Sequence, residues 1–586
     1  MSGDSSPLSS WAAAVLVIAV TLIVAPVGSA ATVDEFDVVI RNGDVYDGSG
    51  RPPSIEDVGL KGDRIAAIAP HLAGRGRTEI DARGKAVAPG FINMLAHPEE
   101  TLIADGRALS DLKQGVTLEV MGEDSMGPLN AKMKALAIQR QGDIKYPISW
   151  TTLGQYLEML ERKGISPNVA SFVGASTVRI NQLGEGDVQP TPAQLAAMRG
   201  LVRHAMEEGA LGLTDALMYA PDSYAKTPEV IALAKVSAQC GGIYIAHIRS
   251  EGDHLEQALQ ETFDIAEASG APAEVYHLKE AGRDNWDKLG KVVGMIEAER
   301  SKGVRITADM YTYTAAATGL DAAMPPWVQS GGIEQWIARM KDPSIRARLA
   351  VEMREPHPQG WESYYAGAGP EKTLLLAFKN PALKPLTGKT LAEVARMRGE
   401  TPEDTAMDLV IEDGSRVAVA YFLMDEDNVR RQIRLPWMSF ASDEAAPAPE
   451  GVFLLSHVHP RAYGNFARLL GHYVRDEHDL TLTEAVRRLT SLPADNLSLK
   501  DRGRLAPGYF ADVVVFDPAT ITDHATYDNP ARLATGVEQV LVNGRFALRD
   551  GAPTGAPTGR VVRGRAWTGL PGGGCRASAK DWTWSG

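Results

Sequence analysis

The sequence predicts an α/β protein: a (β/α)8 barrel of the TIM type beside a small β-sandwich built from both ends of the chain. Three observations carry this. Apolar, β-rich runs alternate with helical segments through the middle of the chain, the pattern of a parallel sheet. Eight such runs can be counted, at 91–97, 117–123, 169–175, 211–216, 243–248, 273–278, 305–310 and 438–443. Two of them end in histidines, His247 and His277, 30 positions apart, and about 30 residues is one strand-helix unit of a barrel of roughly 250 residues.

In chain order, the apolar run at 11–28 ends in small residues, Gly28-Ser-Ala-Ala31. It reads as a secretory signal peptide over 1–31, cut near Ala30 or Ala31. Against this, the n-region carries Asp4 and no Lys or Arg, and an uncleaved anchor is the alternative, since about 18 apolar residues nearly span a bilayer. Either way the body is expected to be exported, periplasmic or secreted. Residues 32–88 form the first part of the sandwich, with Asn42-Gly43 as a hairpin turn. The barrel occupies 89–498, and Thr191-Pro192 opens one of its helices. The interval between the seventh and eighth strands exceeds a standard unit by about a hundred residues. Residues 318–385, rich in Trp, Tyr and Pro, are read as an insertion that shapes a pocket. Strand segments at 511–516 and 537–543 complete the sandwich over 499–565. Residues 566–586, with Pro571-Gly-Gly-Gly, are expected to be a flexible tail.

With 586 residues, 44% of them hydrophobic, the chain can bury a large core. Its net charge of −14, with no dense Lys/Arg block, excludes a nucleic-acid-binding class. Of two cysteines, Cys240 precedes an apolar strand and reads as a small buried side chain. Cys575 lies in the Gly-rich tail, and no disulfide between them is expected.

The strand ends carry the chemistry. Barrel strands project their last residues into one mouth, where barrel enzymes keep metals and catalysts. His247 and His277 there are metal-ligand candidates, since neutral imidazole suits zinc. His97 ends the first strand, as a ligand or a capping residue. Glu123 and Asp124 end the second, to complete a metal shell or cap a helix. Asp443 ends the eighth, where a carboxylate can move a water's proton to a leaving amine, or cap the next segment. Lys279 and Arg249 each follow a histidine by two, so period-two geometry puts them on the same side, to receive a substrate carboxylate or to make surface salt bridges.

At these residues the chain resembles the amidohydrolase superfamily, specifically the N-acyl-D-amino-acid deacylases (D-aminoacylases). The resemblance covers about residues 36–565. It rests on Val38-Val-Ile-Arg-Asn-Gly with Tyr46-Asp-Gly, Ile80-Asp81-Ala-Arg-Gly-Lys, Ala88-Pro-Gly-Phe-Ile, Glu207-Glu-Gly-Ala-Leu-Gly-Leu and Tyr244-Ile-Ala-His247-Ile-Arg249. Further on stand His459-Pro-Arg-Ala-Tyr-Gly, Thr490-Ser-Leu-Pro-Ala, Asp501-Arg-Gly with Gly508, Ala511-Asp-Val-Val-Val-Phe-Asp and Val542-Asn-Gly. The resemblance implies zinc-assisted amide hydrolysis, with His247 and His277 as ring ligands and Asp443 as acid/base. Lys279, Arg249 and a tyrosine, Tyr311 or Tyr313, lie where it implies a substrate carboxylate is held. The chain also departs from the family. Leu95-Ala-His97 stands where relatives have His-x-His, Glu123-Asp124 where they have a cysteine ligand, and Gly174-Ala175-Ser176 where they have Gly-His-Gly.

The expectation is therefore a single-metal hydrolase of an N-acyl-(D-)amino acid or related small amide. One zinc sits on His247, His277 and Glu123 or Asp124, with His97 assisting, although another divalent ion is possible. A hydrolase of a cyclic amide, lactone or dipeptide, and a non-catalytic binding protein on the same scaffold, stand as alternatives.

Overall fold

The computed structural model describes residues 36–569, 574 and 575. The expected signal peptide and most of the expected tail lie outside these residues. Among the described residues no helix is long and apolar enough to cross a membrane.

All eight expected strand windows contain strands, and all eight strands run parallel. A three-stranded parallel sheet holds Phe91–Asn93, Val116–Met121 and Asn168–Ser171. A six-stranded parallel sheet begins where the last of these continues, at Val173–Gly174. It then takes Gly212–Ala216, Ile243–His247, Ala273–Val275, Ile306–Met310 and Met438–Phe440 in order. The two sheets meet at both edges. Phe172 joins the parts of the third strand, its N–H donating to Met121. At the other side Met94 donates to Phe440 and Asp443 donates to Leu95. Strands buried on both faces need continuous apolar runs, and all of these strands are buried at every position.

Helices return the chain between strands. Pro192–Glu208 shows how the sequence sets them: Thr191 and Gln194 cap it reciprocally, proline opens it, and Gly209 closes it in the left-handed conformation. Between the seventh and eighth strands the chain builds a separate layer. Ala315–Gly319 and Thr373–Ala377 flank Ala418–Phe422 in an antiparallel sheet, over a cluster containing Trp336, Leu375, Met407 and Tyr421.

Both chain ends enter one nine-stranded sheet. Ala86–Pro89 pairs with Val513–Phe516 antiparallel, Val87 opposite Val515, over a core that includes Val38, Val58, Val513 and Leu541. Asn42-Gly43 is not the expected hairpin turn. It is an irregularity inside the single strand Phe36–Val45. Asn42 takes φ +56° there, its N–H is held by Asp57 Oδ1 at 2.9 Å, and a Cβ on Gly43 would lie 2.3 Å from Val87. A left-handed residue beside a glycine marks a bulge as readily as a turn, and the side-chain anchor decides between them here.

The cysteine expectation is also corrected: Cys240 and Cys575 form a disulfide across a sequence separation of 335. The sequence could not show why, because the cause is tertiary. Residues 559–564 run as a strap along the N-terminal ends of the parallel strands. Gly559 donates to Ile165, Val562 to Val169 and Gly564 to Gly209, which carries the tail to the start of the fifth strand. Peptide mapping under non-reducing conditions is expected to recover this cross-link. Cys575→Ser is expected to lose about 2–4 kcal/mol of stability in denaturant unfolding. Equal stability of the two proteins would show that the bond does not secure the strap.

Candidate metal centre and active site

The C-terminal ends of the parallel strands open into a cavity of about 930 Å³. His97, Glu123, His247, His277, Lys279, Tyr311 and Asp443 all line it, as expected from their strand-end positions. Glu123 is the pivot. Its Oε1 lies 3.5 Å from His247 Nδ1 and its Oε2 3.4 Å from His97 Nε2. His97 Nε2 is in turn 3.1 Å from Asp443 Oδ1. Two groups of ligand atoms therefore share one carboxylate: Glu123 with His247 and His277, and Glu123 with His97 and Asp443, each group within 4.8 Å.

The backbone is strained where it aims these groups. His277 has φ +36° and Asp443 φ +51°, values that non-glycine residues adopt at a cost of about 1–3 kcal/mol. Hydrogen bonds enforce both: His277 N–H donates to Asp309 Oδ1 at 2.8 Å, and Asp443 N–H to Leu95 O at 2.8 Å.

The first group fits a divalent cation. It offers two imidazoles and a carboxylate, all buried, the donor chemistry of a catalytic zinc site with room for a water. Buried His247 Nε2 has no hydrogen-bond partner among the described residues, which an imidazole placed for structure alone would not leave. His277 Nδ1 is engaged by Glu251 Oε1 at 2.9 Å and Lys279 Nζ at 2.7 Å, which leaves its Nε2 for an ion.

Electrostatics keep the acids ionised. Burial pushes the Asp443 carboxyl up, but Arg461, His277 and His97 outweigh it and hold the group well below the ordinary carboxylate range. Burial likewise opposes Glu123, and His247 with His97 brings it down. For His97, burial disfavours the charge. The Asp443 hydrogen bond and the Glu123 charge win and raise it to about 10.

Three expected residues stand elsewhere. Asp124 is exposed on the cavity wall, accepts from Ser176 Oγ at 3.0 Å and belongs to neither ligand group. Glu123 takes the ligand position because the strand ends at Met121 and the following turn exchanges the two sides. Arg249 does not line the cavity. Its guanidinium grips Glu261 at 2.8 and 2.9 Å and donates to the Ser223 and Ala225 carbonyls. Period-two geometry ends with the strand, at His247. Tyr313 is buried behind the wall, edge-on to His459 and Tyr527, because Asn465 pins the backbone of Thr312 and turns the chain.

Two site residues escaped the sequence reading. Arg461 is 1% exposed. One of its nitrogens lies 2.9 Å from Asp443 Oδ2 and its Nε 3.8 Å from Glu444 Oε2, while Nε and Nη1 make no hydrogen bond among the described residues. Its signal was present in His459-Pro-Arg461, without a role. Glu251 is 1% exposed and lies four residues after His247, where strand parity no longer applies. Two of the three departures have a structural setting. Leu95 is buried in an apolar cluster with Ile92, Leu118 and Tyr276, and Ala175 starts the helix Ala175–Leu183.

The Arg249–Glu261 pair yields a stability prediction. Burial opposes the Glu261 charge, but the Arg249 hydrogen bonds and charge hold its pKa down. The contribution is therefore complete above the unfolded carboxyl value of about 4.3 and is lost as pH falls through the lower folded value. Arg249→Ala is expected to cost about 1–3 kcal/mol at pH 7, with the difference from the parent narrowing in denaturation curves below about pH 4. A constant difference would assign the cost to packing alone.

Comparison with known proteins places this geometry. The model of a family described as the amidohydrolase family matches residues 78–547. A D-aminoacylase from Alcaligenes xylosoxydans xylosoxydans is 32% identical over 532 residues, covering 90% of this chain and 97% of that protein. A D-aminoacylase structure from work on its binuclear metal centre, described by one-metal activation and second-metal attenuation, aligns with a TM-score of 0.74. It is 31% identical, with 90% of this chain and 99% of that chain covered. An N-acyl-D-glutamate deacylase from Bordetella bronchiseptica, complexed with zinc and a phosphonate mimic of the tetrahedral intermediate, aligns with a TM-score of 0.73. It is 30% identical, over 90% of this chain and 100% of that one.

Proposed function

The chain belongs to the amidohydrolase family, and on that premise we propose that it is a metal-dependent hydrolase. It releases an amino acid from an N-acyl-D-amino acid or a related small amide. The observation that carries this is the convergence of Glu123, His247 and His277 into one buried ligand group, with Asp443 joined to it through His97.

A divalent ion held by Glu123, His247 and His277, zinc by preference, would polarise the scissile carbonyl and lower the pKa of a water beside it. Asp443 takes the proton of the attacking water as the new C–O bond forms. It returns that proton to the departing nitrogen as the C–N bond breaks, giving a carboxylic acid and a free amino acid. Arg461 and His97 keep Asp443 anionic until that proton arrives. Arg461, which lines the cavity and has two nitrogens without a hydrogen bond, assumes the carboxylate-binding role expected of Arg249. Lys279 and Tyr311, which line the same cavity, complete that subsite, where charge-assisted hydrogen bonds select an α-carboxylate.

One ion per chain is supported by Leu95 in place of a second histidine and by the Arg461 guanidinium 2.9 Å from Asp443. That fixed cation already neutralises the carboxylate a second ion would need. For the architecture, the reading is a closed eight-stranded (β/α)8 barrel with the nine-stranded sheet as its β-sandwich. The hydrogen bonds joining both edges of the parallel sheets support it. For location, the 11–28 apolar run and the Cys240–Cys575 bond support an exported protein, since structural disulfides persist outside reducing compartments.

Elemental analysis is expected to find about one zinc per chain, and two would overturn the single-ion reading. His247→Ala is expected to lose both metal and turnover. Asp443→Asn is expected to keep the metal and lose about 10²–10⁴-fold in kcat against N-acyl-D-amino acids. Undiminished turnover in Asp443→Asn would remove its acid/base role.

A further inference from the structure

Between the cavity floor and the inserted layer lies a buried carboxylate that the hydrolytic steps do not use. Glu251 Oε1 is 2.6 Å from Lys279 Nζ and 2.9 Å from His277 Nδ1. Its Oε2 accepts a short hydrogen bond from the Tyr364 hydroxyl and stands 3.9 Å from His247 Nε2. One carboxylate thus touches both imidazoles of the ligand group and the ammonium of the substrate subsite.

Tyr364 does not come from the barrel strands. It opens the short helix Tyr364–Ala368 in the segment between the seventh and eighth strands, capped by Ser363. Two residues earlier, Glu362 accepts from Ser250 Oγ at 2.7 Å, Glu251 N at 2.8 Å and Gly252 N at 3.1 Å. Residues 362–364 therefore hold the Glu251 loop by its backbone and by its side chain. The fit is close: a Cβ on Gly252 would lie 2.6 Å from the Glu362 carboxylate and 2.8 Å from Ala281 O. Tyr364 and Glu251 are both buried, 2% and 1% exposed, so no solvent rearrangement substitutes for the hydroxyl.

We propose that Tyr364 is a positioning residue for the metal centre. Its hydroxyl fixes Glu251, and Glu251 sets the His277 ring and the Lys279 ammonium in register. The inserted layer is then part of the hydrolytic apparatus rather than a cover over it. This rests on the hydrolase reading above. A ligand's outer hydrogen-bond partner orients the ring and tunes its basicity, and losing it costs about 10–100-fold in metal affinity or activity.

The test uses the full chain and three variants, Tyr364→Phe, Glu251→Gln and the double change. Zinc affinity is read by competition with a chromogenic chelator, alongside melting temperature, kcat and KM. Tyr364→Phe is expected to weaken zinc binding and lower kcat/KM by about tenfold, with its melting temperature kept. Glu251→Gln is expected to lose at least as much. The double variant should be no worse than Glu251→Gln, because Tyr364 acts through that carboxylate. Unchanged zinc affinity and kcat/KM in Tyr364→Phe, or additive losses in the double variant, would overturn the proposal. If Glu251→Gln fails to fold, Tyr364→Phe decides alone, since it removes one oxygen and keeps the ring. A parent chain that binds no zinc defeats the hydrolase reading and this inference together. A parent that binds zinc, beside a Tyr364→Phe that behaves identically, defeats this inference only.

Discussion

Everything at the cavity floor depends on one electrostatic constraint: Glu123, Glu251 and Asp443 are anions that are largely withdrawn from solvent. Removing a carboxylate from water costs several kcal/mol even after relaxation. The protein meets that cost by placing a cation or a protonatable ring against each one. Lys279 stands on Glu251, Arg461 on Asp443, and His97 and His247 on the two oxygens of Glu123. Alternating charges fix the side chains in relation to each other far more tightly than apolar packing would. A site built this way is stable only when complete, and that is why its members arrive from every quarter of the fold.

The parallel strands make this assembly possible. Each delivers a residue at or just past its C-terminal end to the same rim, so neighbouring strands become neighbours in the site even when the sequence separates Glu123 from His247 and Asp443. The strain at His277 and Asp443 belongs to the same logic. A strand end that continued in regular geometry would point its side chain along the wall, and the left-handed turn brings it over the floor. Asp309 and Leu95, which hold those two turns, are as much a part of the centre as the groups that face it.

The strands and their polar ends were legible in the sequence because a buried parallel strand must be apolar along its length and must stop where the apolar run stops. His97, Glu123, His247, His277 and Asp443 were therefore within reach of strand counting. What failed was extrapolation past a strand end. Arg249 was placed by a period-two rule that held only as far as His247, and Tyr313 by resemblance, three residues past the strand that ends at Met310. In the loops beyond, individual contacts to Glu261 and Asn465 decide the direction. Arg461, Glu251 and Tyr364 lie outside the strands entirely, and no local pattern marks a residue whose partner lies 18 positions away, as Asp443 does from Arg461, or 113, as Glu251 does from Tyr364. Asn42-Gly43 and the cysteines failed for the same reason: one answers to Asp57, the others to a strap that exists only in the folded chain.

The pairing of Ala86–Pro89 with Val513–Phe516 has a consequence for how the molecule comes into being. The first strands synthesised have no partner on that edge until more than four hundred further residues have left the ribosome, and contacts of such long range form slowly. Through that interval an apolar sheet edge stays open, the condition in which chains associate wrongly. Assembly thus waits on Val513–Phe516. A chain cut short before that strand cannot complete the sheet that its own first strands begin.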